Sequence, residues 1–266
     1  MVEYAAIGNA KLAYRLTGPA DGPLIITLHG GRGFGSHSSD FKAYHPLSSS
    51  YRVLSFDFRG HGQSSRTEPY TFNQLVEDIE GMRRHVLGDN HPCIICGGSF
   101  GGFLAQQYAI TYPSMVSHLI LRGTAPSYHH EEMAIRTLEK RASKAPNFSV
   151  KFLRDGIFGK FDSDLEFRLV MYAAAPLYSE SFDPEAALKA NINTVFYAKS
   201  HNQLQSITAK TLIIVGEFDW ICPKENSEDI ASRVPGAHLA VIANANHAVH
   251  QEKNAEVIDL IRNHLA

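Results

Sequence analysis

Ser99 stands in the stretch CIICGGSFGG, residues 93–102, enclosed by two pairs of glycines. A hydroxyl stripped of neighbouring side chains is a candidate nucleophile. Near neutral pH it reacts poorly unless a base takes its proton and an acid orients that base. Both follow in the chain, Asp219 in GEFDW and His247 in NANHAVHQE. Gly97, Ser99 and Gly101 satisfy G-x-S-x-G, and the order Ser, Asp, His is the one produced when a serine sits on a sharp strand-to-helix turn. The chemistry these types suit is acyl transfer: attack on a carbonyl, a covalent acyl-serine, then hydrolysis.

Acyl transfer builds an oxyanion that needs preformed donors. HGGRGFG, residues 29–35, follows an apolar run; the backbone N–H groups of Gly31 and of Phe100, the residue after the serine, are the expected pair. A Walker lysine or a G-x-G-x-x-G pattern would favour phosphate binding instead, and neither surrounds Ser99. His250 rivals His247 as base. Asp57 in FDFRGHGQSS precedes the serine and reads, with Arg59, as a turn brace. Glu217 rivals Asp219, which lies further toward the carboxyl edge of the sheet.

These residues need a scaffold, and short apolar runs supply it: LIITLH (24–29), RVLSFD (52–57), CIIC (93–96), HLILRG (118–123), TLIIVG (211–216) and HLAVIA (238–243). Near-continuous apolarity predicts strands buried on both faces of a parallel sheet. Thr71 and Gln74 have capping-box spacing, Leu75, Ile79, Met82 and Val86 repeat at helical intervals, and Gly88 can end that helix. A second helix is expected from Phe100, carrying Phe103, Leu104, Gln107 and Tyr108. The fold class is α/β: a doubly wound, mostly parallel sheet with an inserted helical cap. Residues 1–125 and 207–266 form the core. The cap is 126–206, where alternation lapses into aromatics such as Tyr128, Phe152, Phe158, Phe161, Tyr172, Tyr178, Phe196 and Tyr197.

The 266 residues carry 25 basic and 27 acidic side chains, a formal charge of −2 without runs of like sign. That argues against nucleic acid or a membrane surface as partner. No apolar run is long enough to span a bilayer, and the opening MVEYAAIGNAKLAYRL lacks a basic region leading into a long apolar one. A cytoplasmic protein is expected. Cys93, Cys96 and Cys222 suit a reducing compartment. In a strand Cys93 and Cys96 would point to opposite faces as buried thiols. No metal site or cofactor is expected, the partner is a small-molecule substrate, and homo-oligomerisation stays open.

HGGRG, DFRGHGQS, GGSFGG, GEFDWICP and NANHAVHQE resemble the α/β-hydrolases, and within them the branch of proline iminopeptidases and related esterases, lactonases and carbon–carbon bond hydrolases. The resemblance covers nearly all of the chain outside the cap and implies Ser99, Asp219 and His247 as the triad. It departs at three positions. Proline iminopeptidases usually read HGGPG where Arg32 stands here, often have tryptophan where Phe100 stands, and tend to place glutamate where Trp220 stands. A buried ammonium needs a carboxylate partner, so Trp220 weakens the fit to peptide amino ends. Glu131 and Glu132 in the cap read as the start of a solvated helix.

Arg32, Phe34 and Trp220 are therefore candidate substrate-binding residues, with His129, His130 and His201 as ordinary polar cap residues. The expected activity is cofactor-independent serine hydrolysis of an ester or lactone with a hydrophobic body. A proline iminopeptidase-like amidase is the first alternative. A ligand receptor or a non-hydrolytic cyclase or lyase on the same fold is the second. Dehalogenases and epoxide hydrolases use aspartate at the elbow, which disfavours them.

Overall fold

All six apolar runs form strands in a computed structural model, which describes residues 1–33, 35–127, 130–141, 151 and 203–266. They are β3 (Leu24–Leu28), β4 (Arg52–Phe56), β5 (Cys93–Gly98), β6 (Val116–Arg122), β7 (Lys210–Gly216) and β8 (His238–Ile242). Two further strands, β1 (Glu3–Ile7) and β2 (Ala10–Thr17), precede them. The sheet order is β1-β2-β4-β3-β5-β6-β7-β8. β1 with β2 and β2 with β4 are antiparallel, and every other pair is parallel.

Both faces of this sheet are covered. Helix α1 (His37–Tyr44) and the helix Asn254–Leu265 pack on one, burying Ala43, Tyr44, Val257, Ile258 and Ile261 against Ile25, Val53, Ile94 and Cys96. Helices α2 (Phe72–Leu87) and α3 (Phe100–Thr111) pack on the other, with Ile79, Met82, Phe103, Leu104 and Tyr108 against Ile26, Leu54 and Ile95. Cys93 belongs to the second cluster and Cys96 to the first, so the two thiols do point to opposite faces. Burial pushes both up to about 12, which keeps them protonated and unreactive.

Helix α2 follows its expected punctuation with one difference. Thr71 Oγ1 accepts the Gln74 N–H at 3.2 Å, and Gly88 closes the helix at φ 78°. The Gln74 side chain does not return to the cap. Its Nε2 donates instead to Asp78 Oδ1 at 3.1 Å, where it helps solvate a buried ion pair: Asp78 holds Arg59 through bonds of 2.6 and 2.7 Å.

Helix α4 (His130–Arg141) opens the segment between β6 and β7 and buries Ala134. Glu132 is exposed and pairs with Arg136 at 3.6 Å, as a solvated helix face requires. Residues 128–129, 142–150 and 152–202 of the expected cap, including Tyr128, His129, His201 and the later aromatics, lie outside the described residues, as does Phe34 in the loop after β3. Among the described residues no helix is long and apolar enough to cross a membrane.

Candidate active site

Ser99 occupies the turn between β5 and α3 with φ 52° and ψ −120°, a conformation that costs a non-glycine residue about 1–3 kcal/mol. Its surroundings hold it there. The Ser99 N–H donates to Arg122 O on β6 at 2.9 Å, and its carbonyl accepts from Thr124 Oγ1 at 3.0 Å and Gly102 N at 2.9 Å. The flanking glycines are there for close approach. A Cβ on Gly97 would collide with the Gly101 carbonyl, one on Gly101 with Leu28 O, and one on Gly98 with the Arg122 guanidinium.

His247 and Asp219 meet as expected. Nδ1 of His247 lies 2.8 Å from Asp219 Oδ2 and 3.0 Å from Oδ1, so the Nδ1–H donates and Nε2 is left to accept a proton. Asp219 is buried, and its Oδ1 also accepts the N–H groups of Ile221 at 3.0 Å and Cys222 at 2.9 Å. Gly123 is the common neighbour. A Cβ there would lie 3.0 Å from Asp219 Oδ2 and 3.4 Å from His247 Nδ1, while the carbonyl just before it holds Ser99. Ser99 and His247 form no hydrogen bond with each other among the described residues; such contacts commonly tighten only around substrate.

The rivals fall elsewhere. Glu217 is exposed and accepts the Asn244 N–H at 3.0 Å. His250 is buried beside Asp40, 3.6 Å away, and stacks on Tyr44; burial pulls it down to about 2, so it stays neutral. Asp57 is a brace, accepting His37 N at 2.6 Å, His37 Nδ1 at 2.8 Å and Gln63 N at 2.8 Å.

The loop after β3 brings Gly30 against the serine, where a Cβ would stand 3.0 Å from Ser99 Cβ. Gly31 has φ 75°, which suits glycine. Among the described residues neither the Gly31 nor the Phe100 N–H is engaged in a hydrogen bond. The two groups belong to the loop and the helix that meet at Ser99.

Two histidines fix this loop, and neither stands out in the sequence as a positioning group. His61 Nε2 accepts the Gly33 N–H at 2.7 Å and its Nδ1–H donates to Arg59 O at 3.0 Å. His29 Nδ1–H donates to Gly30 O at 2.8 Å. Burial holds both rings neutral, His29 down to about 3. His61 also stacks on Phe100 at 6.2 Å, coupling the loop to the serine turn. Trp220 is half-buried beside Asp219, and Arg32 lies partly exposed on the loop.

A family model described as serine aminopeptidase, S33, matches residues 23–254. The chain belongs to this family of α/β-hydrolases. The hydrolase is 61% identical to the proline iminopeptidase PfmaB of Pestalotiopsis fici, over 100% of this chain and 99% of that one. It is 28% identical to the pimeloyl-[acyl-carrier protein] methyl ester esterase of Nitrosospira multiformis, over 85% and 88% of the two chains. Its fold matches the enol-lactonase of Burkholderia xenovorans with a TM-score of 0.74 at 21% identity, covering 99% of each chain. The chain is a serine hydrolase by family and fold.

Proposed function

We propose that this hydrolase cleaves a carboxylic ester or lactone of a hydrophobic small molecule through an acyl-enzyme on Ser99. The observation that carries the reading is the His247–Asp219 pair at 2.8 Å beside a strained serine with two unengaged N–H groups. Ser99 Oγ attacks the carbonyl as its proton passes to His247 Nε2. Asp219 holds the imidazole tautomer and stabilises the imidazolium without accepting the proton. Gly31 and Phe100 N–H receive the developing oxyanion. Collapse breaks the bond to the leaving oxygen, which takes the proton from His247. The imidazole then deprotonates water, whose attack on the acyl carbon releases the acid and restores Ser99.

Trp220 supports an uncharged substrate body, placing an indole where an ammonium-binding carboxylate would otherwise follow Asp219. The cap at 126–206 is assigned the role of specificity element, and three unpaired buried thiols suit a cytoplasmic setting. A second reading, removal of N-terminal proline from peptides, is favoured by the 61% identity to a protein named as a proline iminopeptidase. Turnover of a prolyl arylamide set against an N-blocked aryl ester separates the two. Ester turnover without need of a free amine is expected, and a strict requirement for that amine would overturn the ester reading.

A further inference from the structure

We infer that Arg122 is a positioning residue, its buried guanidinium registering the serine turn, the glycine-rich loop and the histidine loop against one another. The inference rests on the reading of Ser99, Asp219 and His247 given above.

Arg122 ends β6, directly after the apolar run Leu119–Leu121, and is 3% exposed. Its carbonyl holds the Ser99 N–H, and its guanidinium fills the space that a side chain at Gly98 would need. Nε donates to Tyr44 Oη at 3.1 Å and Nη2 to Asp40 Oδ1 at 3.4 Å. Asp40 and Tyr44 sit one turn apart on α1, which begins directly after the loop that carries Gly31. The same Asp40 oxygen lies 3.6 Å from His250 Nε2, and Tyr44 stacks on that imidazole at 6.2 Å. His250 is three residues beyond His247. Asn254 Nδ2 donates to Ala43 O at 2.8 Å, docking this segment on the same helix.

This is a costly way to fill a core. Asp40 Oδ2 and His250 Nδ1 have no hydrogen-bond partner among the described residues. Burial pushes the Asp40 carboxyl up to about 6 despite the neighbouring cation. A buried ion pair with unmet hydrogen-bonding capacity stabilises a fold less well than apolar side chains of similar volume. What the pair supplies is register. The guanidinium packs against Gly98 of the serine turn and bonds twice to α1, and Asp40 carries the link on to His250; errors of an ångström in such segments cost up to about 10²-fold in rate.

The test uses Arg122→Met and Arg122→Lys in the full chain. Active serines are counted with a fluorophosphonate, and turnover of a p-nitrophenyl ester is expressed per labelled site. Arg122→Met is expected to melt cooperatively, label fully and lose about 10-fold in kcat per labelled site with KM within about 2-fold. Arg122→Lys, which keeps the charge but not the fork, should recover part of that loss. Unchanged kcat per labelled site in Arg122→Met overturns the inference, whatever happens to the melting temperature. If that variant does not fold, Asp40→Asn decides by the same criterion. Failure of the unsubstituted protein to label at Ser99 would instead overturn the nucleophile assignment.

Discussion

Asp219 Oδ1 serves His247 Nδ1 and two backbone N–H groups at once, those of Ile221 and Cys222. The acid is thus fixed by its own turn before it orients the base. Asp219→Asn should keep the fold and lose about 10²-fold to 10⁴-fold in turnover, because the amide no longer specifies the Nδ1–H tautomer. Glu217→Gln, altered at an exposed contact to Asn244, should stay within about 2-fold. Steady-state kinetics on both variants checks the choice of Asp219 over Glu217.

The strain at Ser99 makes a second prediction. Ser99→Ala should abolish fluorophosphonate labelling and lower ester turnover by at least about 10³-fold. Ser99→Gly should be equally inactive but more stable than Ser99→Ala by about 1 kcal/mol, since only glycine adopts φ 52° freely. Equal melting temperatures for the two variants would show that the serine angle carries no strain.

Arg59 and Asp78 are both essentially inaccessible and joined at 2.6 Å. Asp78→Ala strands the guanidinium in the core and should cost about 3–5 kcal/mol in urea denaturation. Replacing both residues by apolar ones of similar volume should restore most of that loss.

Acid should destabilise the protein early. His29 and His250 are held neutral by burial, with values of about 3 and about 2. Their unfolded counterparts take up protons below about pH 6.5. The stability they contribute is complete above that value and is lost as pH falls toward the folded ones. At pH 5 the cost is roughly 2 kcal/mol for each. Asp40, raised to about 6, works in the opposite direction and offsets part of this. Melting temperatures from pH 7 to pH 5 should fall, and His29→Gln should flatten the slope.

The sheet was legible because strands buried on both faces are apolar almost throughout, and the candidate site because the glycines around Ser99 mark a sharp strand-to-helix turn. β1 and β2 were harder to see. β1 buries only Ala5 among its five residues, and β2 is buried toward its middle and partly exposed at its end. The two-residue Gly8–Asn9 link, with Gly8 at φ 54°, is the local signal for that hairpin. Ser99, Asp219 and His247 declare themselves by position along the chain. Arg122, Asp40, His29 and His61 do not, because their role depends on contacts between segments far apart in sequence. A charged residue closing an apolar strand, as in HLILR, is the one trace Arg122 leaves.

Strand β8 lies at the edge of the sheet, and the loop that bears His247 leaves from its end. Synthesis reaches that strand after every other strand of the sheet. A nascent chain that has emerged only through β7 lacks both Asp219 and His247. On the proposed reading, the acid and the base reach the serine turn only when the last strand joins the sheet.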